Sequence, residues 1–264
     1  MNLDQAMAEL QSMGSVKNRK VFAHHGIREP MFGVSLKNVR ALAKQIRRDN
    51  FLARNLWETE NHDARMLATM IADPKTLSVH SLGDWVTEAD NYIVCASVAD
   101  FAVRAPNSWM LANAYLDDAS EWVVTIGWNM VAIMAANPKG YKSALFPPLL
   151  GKLERTIAAR QKWTRHAMNS ALIALGTNRP DLAEACFEAA KRIGPIQIEG
   201  LPDRNAEELI GEAIEGWKKI LMERAARRRA EQAAASAVAV QEAVETTESE
   251  TAEASTETVD EAAE

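Results

Sequence analysis

The chain has 264 residues and carries 30 Lys and Arg against 36 Asp and Glu, a formal net charge of −6. That length suits one large domain plus a tail. Its two cysteines, Cys95 and Cys186, make neither a disulfide framework nor a metal motif, and no run reaches the roughly 18 apolar residues a membrane span needs, so secreted disulfide scaffolds and transmembrane proteins are excluded.

In chain order, the pattern predicts helices over 3–12 and 14–25, with Gly26 as a stop. The N-terminal stretch MNLDQAMAEL is amphipathic and lacks the apolar core of a signal peptide, so a reducing cytoplasm is the expected location. Three short helices follow between Phe32 and Asp73. The first takes Ser35 as its N-cap, the second Asn50 and the third Asn61, and Asp73-Pro74 ends the third. Leu36, Val39, Leu42, Ala43 and Ile46 form one apolar face of the first helix. Lys37, Arg40, Lys44, Arg47 and Arg48 recur in the same way on an adjoining face, with only Asp49 to offset them. Such a helix is suited both to docking on a scaffold and to touching phosphates.

Further helices are expected over 81–89, 91–104 and 107–116. Asp118 is placed to cap the long apolar helix EWVVTIGWNMVAIMAA. Pro147-Pro148 interrupts the next element, which resumes over 149–159. Residues 162–176 and 180–193 make another pair, with Pro180 at a helix start, and 205–229 follow a loop. IVCASVA has a strand-like composition but sits within a helical frame. Helices of about ten residues on two- or three-residue turns cannot each bury a face alone, so they stack in pairs as a solenoid.

Net charge is unevenly placed. Residues 231–264 hold ten acids and no Lys or Arg, which leaves +4 for residues 1–230. The expected division is a helical repeat domain over 1–229 and a disordered acidic Ala/Glu/Thr-rich tail over 230–264. The acids after Arg227-Arg228-Arg229 either keep the chain soluble or compete with a phosphate-bearing polyanion for the basic face.

FGVSLKNVRALAK followed by NLWETENHDARMLATMI resembles the opening repeats of the DNA alkylation repair family, the AlkD-like proteins built from HEAT-like repeats. The resemblance spans roughly residues 14–220 and is strongest over 30–75. It implies an all-α, right-handed α-solenoid. Characterised members excise cationic N-alkylpurines from DNA without extruding the base, and others bind DNA with no known catalysis. The resemblance further implies an aromatic pair against the lesioned nucleotide, a carboxylate that stabilises the developing oxocarbenium, and an arginine that grips phosphate.

The family's W-D-x-x-D segment falls on Tyr92-Ile93-Val94-Cys95-Ala96. Tyr92 keeps a ring, while Ala96 stands where the carboxylate is expected. The phosphate-gripping arginine falls on Thr125 and the second aromatic on Ser170. Asp90 and Asp100 flank the site, Asp100 one turn beyond Ala96, so these two acids and Tyr92 are the catalytic candidates. Arg160, Lys162 and Arg165 form a second basic cluster around Trp163 with His166 beside it, suited to backbone contact. Trp128 offers either an aromatic surface or a core anchor. Trp57, Trp85, Trp109 and Trp217 read as core anchors. The histidines have no ligand spacing, and neither a metal nor a cofactor is expected.

Two functions of different class follow. One is a monomeric DNA-binding protein of that family, with or without residual N-alkylpurine glycosylase activity, that contacts duplex DNA, alkylated or not, through a basic concave surface. The other is a non-catalytic scaffold for a protein partner.

Overall fold

The structure, a computed structural model, describes the backbone of residues 1–260 and the side chains of residues 1–234 and Ser236. The chain divides into two units, Met1–Ile214 and Glu215–Glu264.

The first unit opens with α1 (Leu3–Ser12), α2 (Val16–His24), α3 (Leu36–Ile46), α4 (Asn50–Glu58) and α5 (His62–Ile71). It continues with α6 (Val79–Glu88), α7 (Tyr92–Ala102), α8 (Ser108–Tyr115) and α9 (Glu121–Ala135). Then come α10 (Pro147–Thr156), α11 (Lys162–Asn178), α12 (Ala183–Ile193) and the start of α13 (Ala206–Asp260). Helices α3, α5, α7, α9 and α11 form one layer, each packed on the next. The alternate helices back them: α4 lies on α5, α6 against α7 and α9, α8 on α9, and α10 and α12 on α11. The chain is thus all-α, a stack of helix pairs in the manner of HEAT-like repeats. Among the described residues no helix is long and apolar enough to cross a membrane.

The caps show how local sequence sets these boundaries. Ser35 accepts from the Asn38 amide, and Asn61 accepts from Asp63 and Ala64, both as expected. α4 is capped by Asp49 rather than Asn50. The Asn50 side chain is engaged elsewhere, accepting from the Asp73 amide (2.7 Å) and donating to Thr76 (3.0 Å). Asp118 accepts from the Ser120 amide one turn before α9 and does not cap the helix itself. Pro147-Pro148 begins α10 instead of breaking it, because the first helical turn needs no amide donor there. α12 starts at Ala183, after a turn that contains Pro180.

The FGV segment ahead of α3 has a specific anchor. Asp63, 1% exposed at the start of α5, accepts from the amides of Phe32 (2.6 Å), Gly33 (3.0 Å) and Val34 (2.9 Å). Three consecutive amides can converge on one carboxylate because Gly33 adopts φ +78°. A Cβ there would sit 2.6 Å from the Ser15 carbonyl oxygen. Gly33→Ala is therefore expected to cost about 2 kcal/mol or more, read as a lower urea midpoint; an unchanged midpoint contradicts this account.

Trp57 and Trp85 stack in the core with ring centroids 4.8 Å apart, while Trp109 is half-buried against Phe146. The second unit is a continuation of α13, helical to Asp260. The tail expected to be disordered is thus helical in its described backbone. A composition that cannot build a core still supports local helix, since Ala and Glu are strong helix formers. The side chains of 235 and 237–260 and all of 261–264 lie outside the described residues.

Candidate nucleic-acid interface

A groove of about 620 Å³ runs across α3, α5 and α7. α3 contributes Arg40 and Lys44, which are four residues apart and share a face. α7 contributes Tyr92, Ala96 and Asp100 at the same four-residue interval, and Arg104 continues the series just past its end. α5 supplies Met66, Thr69 and Met70 as the floor, with the Thr69 hydroxyl 2.5 Å from that of Ser97. Three cations and one carboxylate therefore line the walls. Asp100 pairs with Arg104 at 3.1 Å, so Arg40 and Lys44 remain as cations without an ion pair among the described residues.

Of the expected catalytic residues, Tyr92 and Asp100 share this groove and Asp90 does not. Asp90 lines a separate recess of about 550 Å³ with His62, Arg65 and Glu88, and accepts from Asn91 (2.9 Å). Ala96 lies in the wall between Tyr92 and Asp100 and adds no polar group. Thr125 is buried, its hydroxyl donating to the Glu121 carbonyl (2.7 Å) and bonded to that of Thr164 (2.8 Å), so it cannot reach a phosphate. Ser170 receives Arg204 at 3.4 Å.

The second cluster divides. Trp163 stacks on Tyr92 with centroids 4.0 Å apart and planes 9° from parallel. Lys162 sits 4.8 Å above the Trp163 ring, and His166 packs edge-on at 6.3 Å. These three residues thus join Tyr92. Burial, then the Arg204 guanidinium, hold the His166 pKa below the ordinary value, and burial raises the Tyr92 phenol, which stays protonated. Arg165 turns away into another recess, with Glu154, Arg192 and Pro195, because it stands about 200° around the helix from Trp163. Arg160 is committed to Glu121 at 3.1 Å. Burial raises the Glu121 carboxyl, but Thr164, Arg160 and the Gln161 amide outweigh it and keep the acid ionised.

Two further expected contacts are corrected. Trp128 is 1% exposed in the middle of α9, which is packed on both sides, and has no face to offer. The basic stripe on α3 stops early, since the helix ends at Ile46. Arg47 adopts φ 66°, and Arg48 pairs with Asp73 at 3.1 Å. Lys37 is exposed on α3 one turn before Arg40.

Three residues near Tyr92 and the groove were not anticipated. Arg104 was legible as the fourth member of the 92-96-100 series. His25, whose ring lies 6.2 Å from that of Tyr92, and Arg204, which reaches Ser170 and His166 rather than Tyr92 itself, come from distant segments and left no local signal. Among the described residues no group of three or more His, Cys, Asp or Glu side chains can hold a metal ion.

His62, 4% exposed at the head of α5, has its pKa lowered by burial and by Arg65, against the opposing pull of Asp63 and Asp90. The unfolded chain binds that proton near pH 6.5, so stability is complete above this value and falls as the pH drops below it. The urea midpoint is expected to fall between about pH 7 and about pH 5.5, and His62→Gln to flatten the fall. An equal slope in the variant would place the effect elsewhere, with His166 the next candidate.

The sequence profile of the family described as DNA alkylation repair enzyme matches residues 6–198. An uncharacterized protein of Listeria innocua serovar 6a is 23% identical over 205 residues, spanning 75% of this chain and 89% of the relative. An uncharacterized protein of Listeria monocytogenes serovar 1/2a matches with the same identity and coverage. A solved chain superposes with a TM-score of 0.76 at 26% identity, covering 81% of this chain and 94% of its own length. Its structure is described as "A new family of proteins related to the HEAT-like repeat DNA glycosylases with affinity for branched DNA structures".

Proposed function

Since this chain belongs to the DNA alkylation repair enzyme family, we propose that it binds DNA through the groove between α3 and α7, gripping the sugar–phosphate backbone without excising a base. The observation that carries this reading is the lining of that groove. Arg40, Lys44 and Arg104 supply positive charge, and the Tyr92–Trp163 stack adds aromatic surface. Ala96 stands where excision chemistry calls for a carboxylate, and Asp100 is neutralised by Arg104. Backbone contact needs only the cations, and they carry no sequence preference. The affinity for branched DNA described for the structural relative makes a junction the first ligand to try.

The test is binding to labelled duplex and four-way junction DNA at two salt concentrations. Phosphate contact predicts a steep loss of affinity as salt rises. Binding that is absent or insensitive to salt would reassign the solenoid to a protein partner. Methylated DNA incubated with the protein is expected to release neither 3-methyladenine nor 7-methylguanine above background; release would restore Asp100 as a catalytic candidate.

A further inference from the structure

Arg227, Arg228 and Arg229 are left unused by the groove reading, yet they belong to a well-bounded basic stretch. Between Trp217 and Ala230, α13 carries Lys218, Lys219, Arg224 and these three arginines against a single acid, Glu223. All are exposed. Lys218 pairs with Glu215 (2.8 Å) and Arg227 with Glu231 (2.9 Å). Lys219, Arg224, Arg228 and Arg229 have no ion pair among the described residues. Ten acids without a cation follow over 231–264, so the block is not part of a uniformly basic tail.

The arrangement of these charges restricts the partner. Successive helical residues point about 100° apart, so Arg227, Arg228 and Arg229 together cover about 200° of the helix surface. The exposed apolar residues Ile220, Leu221 and Met222 are likewise consecutive and scatter around the axis. A lipid leaflet meets a helix on one side and favours a single apolar stripe, which this stretch lacks. A rod with cations all round suits a polyanion that approaches from several sides. The major groove of duplex DNA, about 12 Å wide, admits an α-helix between two phosphate backbones. The angle between the arms of a branched DNA also brings backbones to both sides of an inserted rod.

We propose that residues 218–229 form a second DNA-contacting element, a basic helical arm that lodges between phosphate backbones. This inference rests on DNA being the ligand, as proposed above.

The experiment measures the association constant of the full-length chain for a four-way junction across a series of salt concentrations. Each phosphate neutralised contributes about 0.9 to the slope of log K against log salt. In a triple variant, Arg224→Gln, Arg228→Gln and Arg229→Gln, that slope is expected to fall by roughly 2 to 3, with affinity dropping about tenfold at about 100 mM salt. The corresponding triple lysine variant keeps the charge and is expected to keep the slope. Circular dichroism checks that α13 remains helical in both. A wild-type slope in the glutamine variant, alongside a reduced slope in Arg40→Gln/Lys44→Gln, would overturn the arm and leave the groove reading standing. Wild-type protein that binds no DNA would overturn both. Loss of binding to phosphatidylserine vesicles with DNA binding intact would overturn the arm in favour of a membrane.

Discussion

Replacing Arg179 with methionine is expected to cost about 3–5 kcal/mol of stability. The side chain is 2% exposed and closes the C-terminal end of α9. Its Nε donates to the Ala135 carbonyl (2.8 Å), and Nη2 to those of Met134 (2.8 Å) and Asn137 (2.9 Å). Nη1 reaches the Tyr141 carbonyl, and the guanidinium lies 4.9 Å from the Phe146 ring centroid. Helix C-termini leave their last carbonyls without intrahelical donors and carry partial negative charge. One planar, five-donor cation satisfies several of these groups at once. Methionine fills much of the volume but strands the carbonyls away from water. Lysine is expected to recover only part of the loss, because a single ammonium cannot span the same set. Urea titration of the three proteins measures this directly. A loss of under about 1 kcal/mol for Arg179→Met would mean that water replaces the side chain.

Reversing charge in the groove is expected to have the largest functional effect. Arg40→Glu combined with Lys44→Glu should weaken DNA binding on the order of 100-fold at moderate salt, and make the remaining binding less salt-dependent. Both positions are exposed, so stability is expected to stay within about 0.5 kcal/mol of wild type. Asp100→Asn should move the same measurement the other way. It removes the one carboxylate that the described residues place in the groove lining and frees Arg104 for phosphate. A several-fold gain in affinity marks Asp100 as a brake on binding. An unchanged affinity with a changed rate of base release would instead make it catalytic. A double reversal that leaves DNA binding intact would remove the groove from the interface.

Most of the helical frame could be read from the sequence because it depends on local rules. Periodic apolar residues, Ser35 and Asn61 as caps, and Gly26 as a stop act within a few residues of themselves. The misassignments have non-local causes. Asn50 looked like a cap, but its amide is claimed by Asp73 and Thr76 on the far side of α5. Arg48 and Arg160 looked available, yet each is paired with an acid 25 or 39 residues away. Trp128 is silenced by packing on both sides of α9, which a single amphipathic pattern cannot reveal. Arg165 is different. Its position on the opposite side of α11 from Trp163 follows from the helical period alone. The stack of Trp163 on Tyr92 joins residues from α7 and α11, helices that do not adjoin in their layer. No spacing in the chain announces it.

The carboxylate of Asp63 also bears on the order in which the chain assembles. Residues 32–34 find their hydrogen-bond acceptor on α5, about 30 positions downstream, and Gly33 is held in a conformation that local sequence alone does not favour. During synthesis this segment leaves the ribosome well before its anchor does. The amides of residues 32–34 therefore lack their carboxylate acceptor until α5 has emerged and formed.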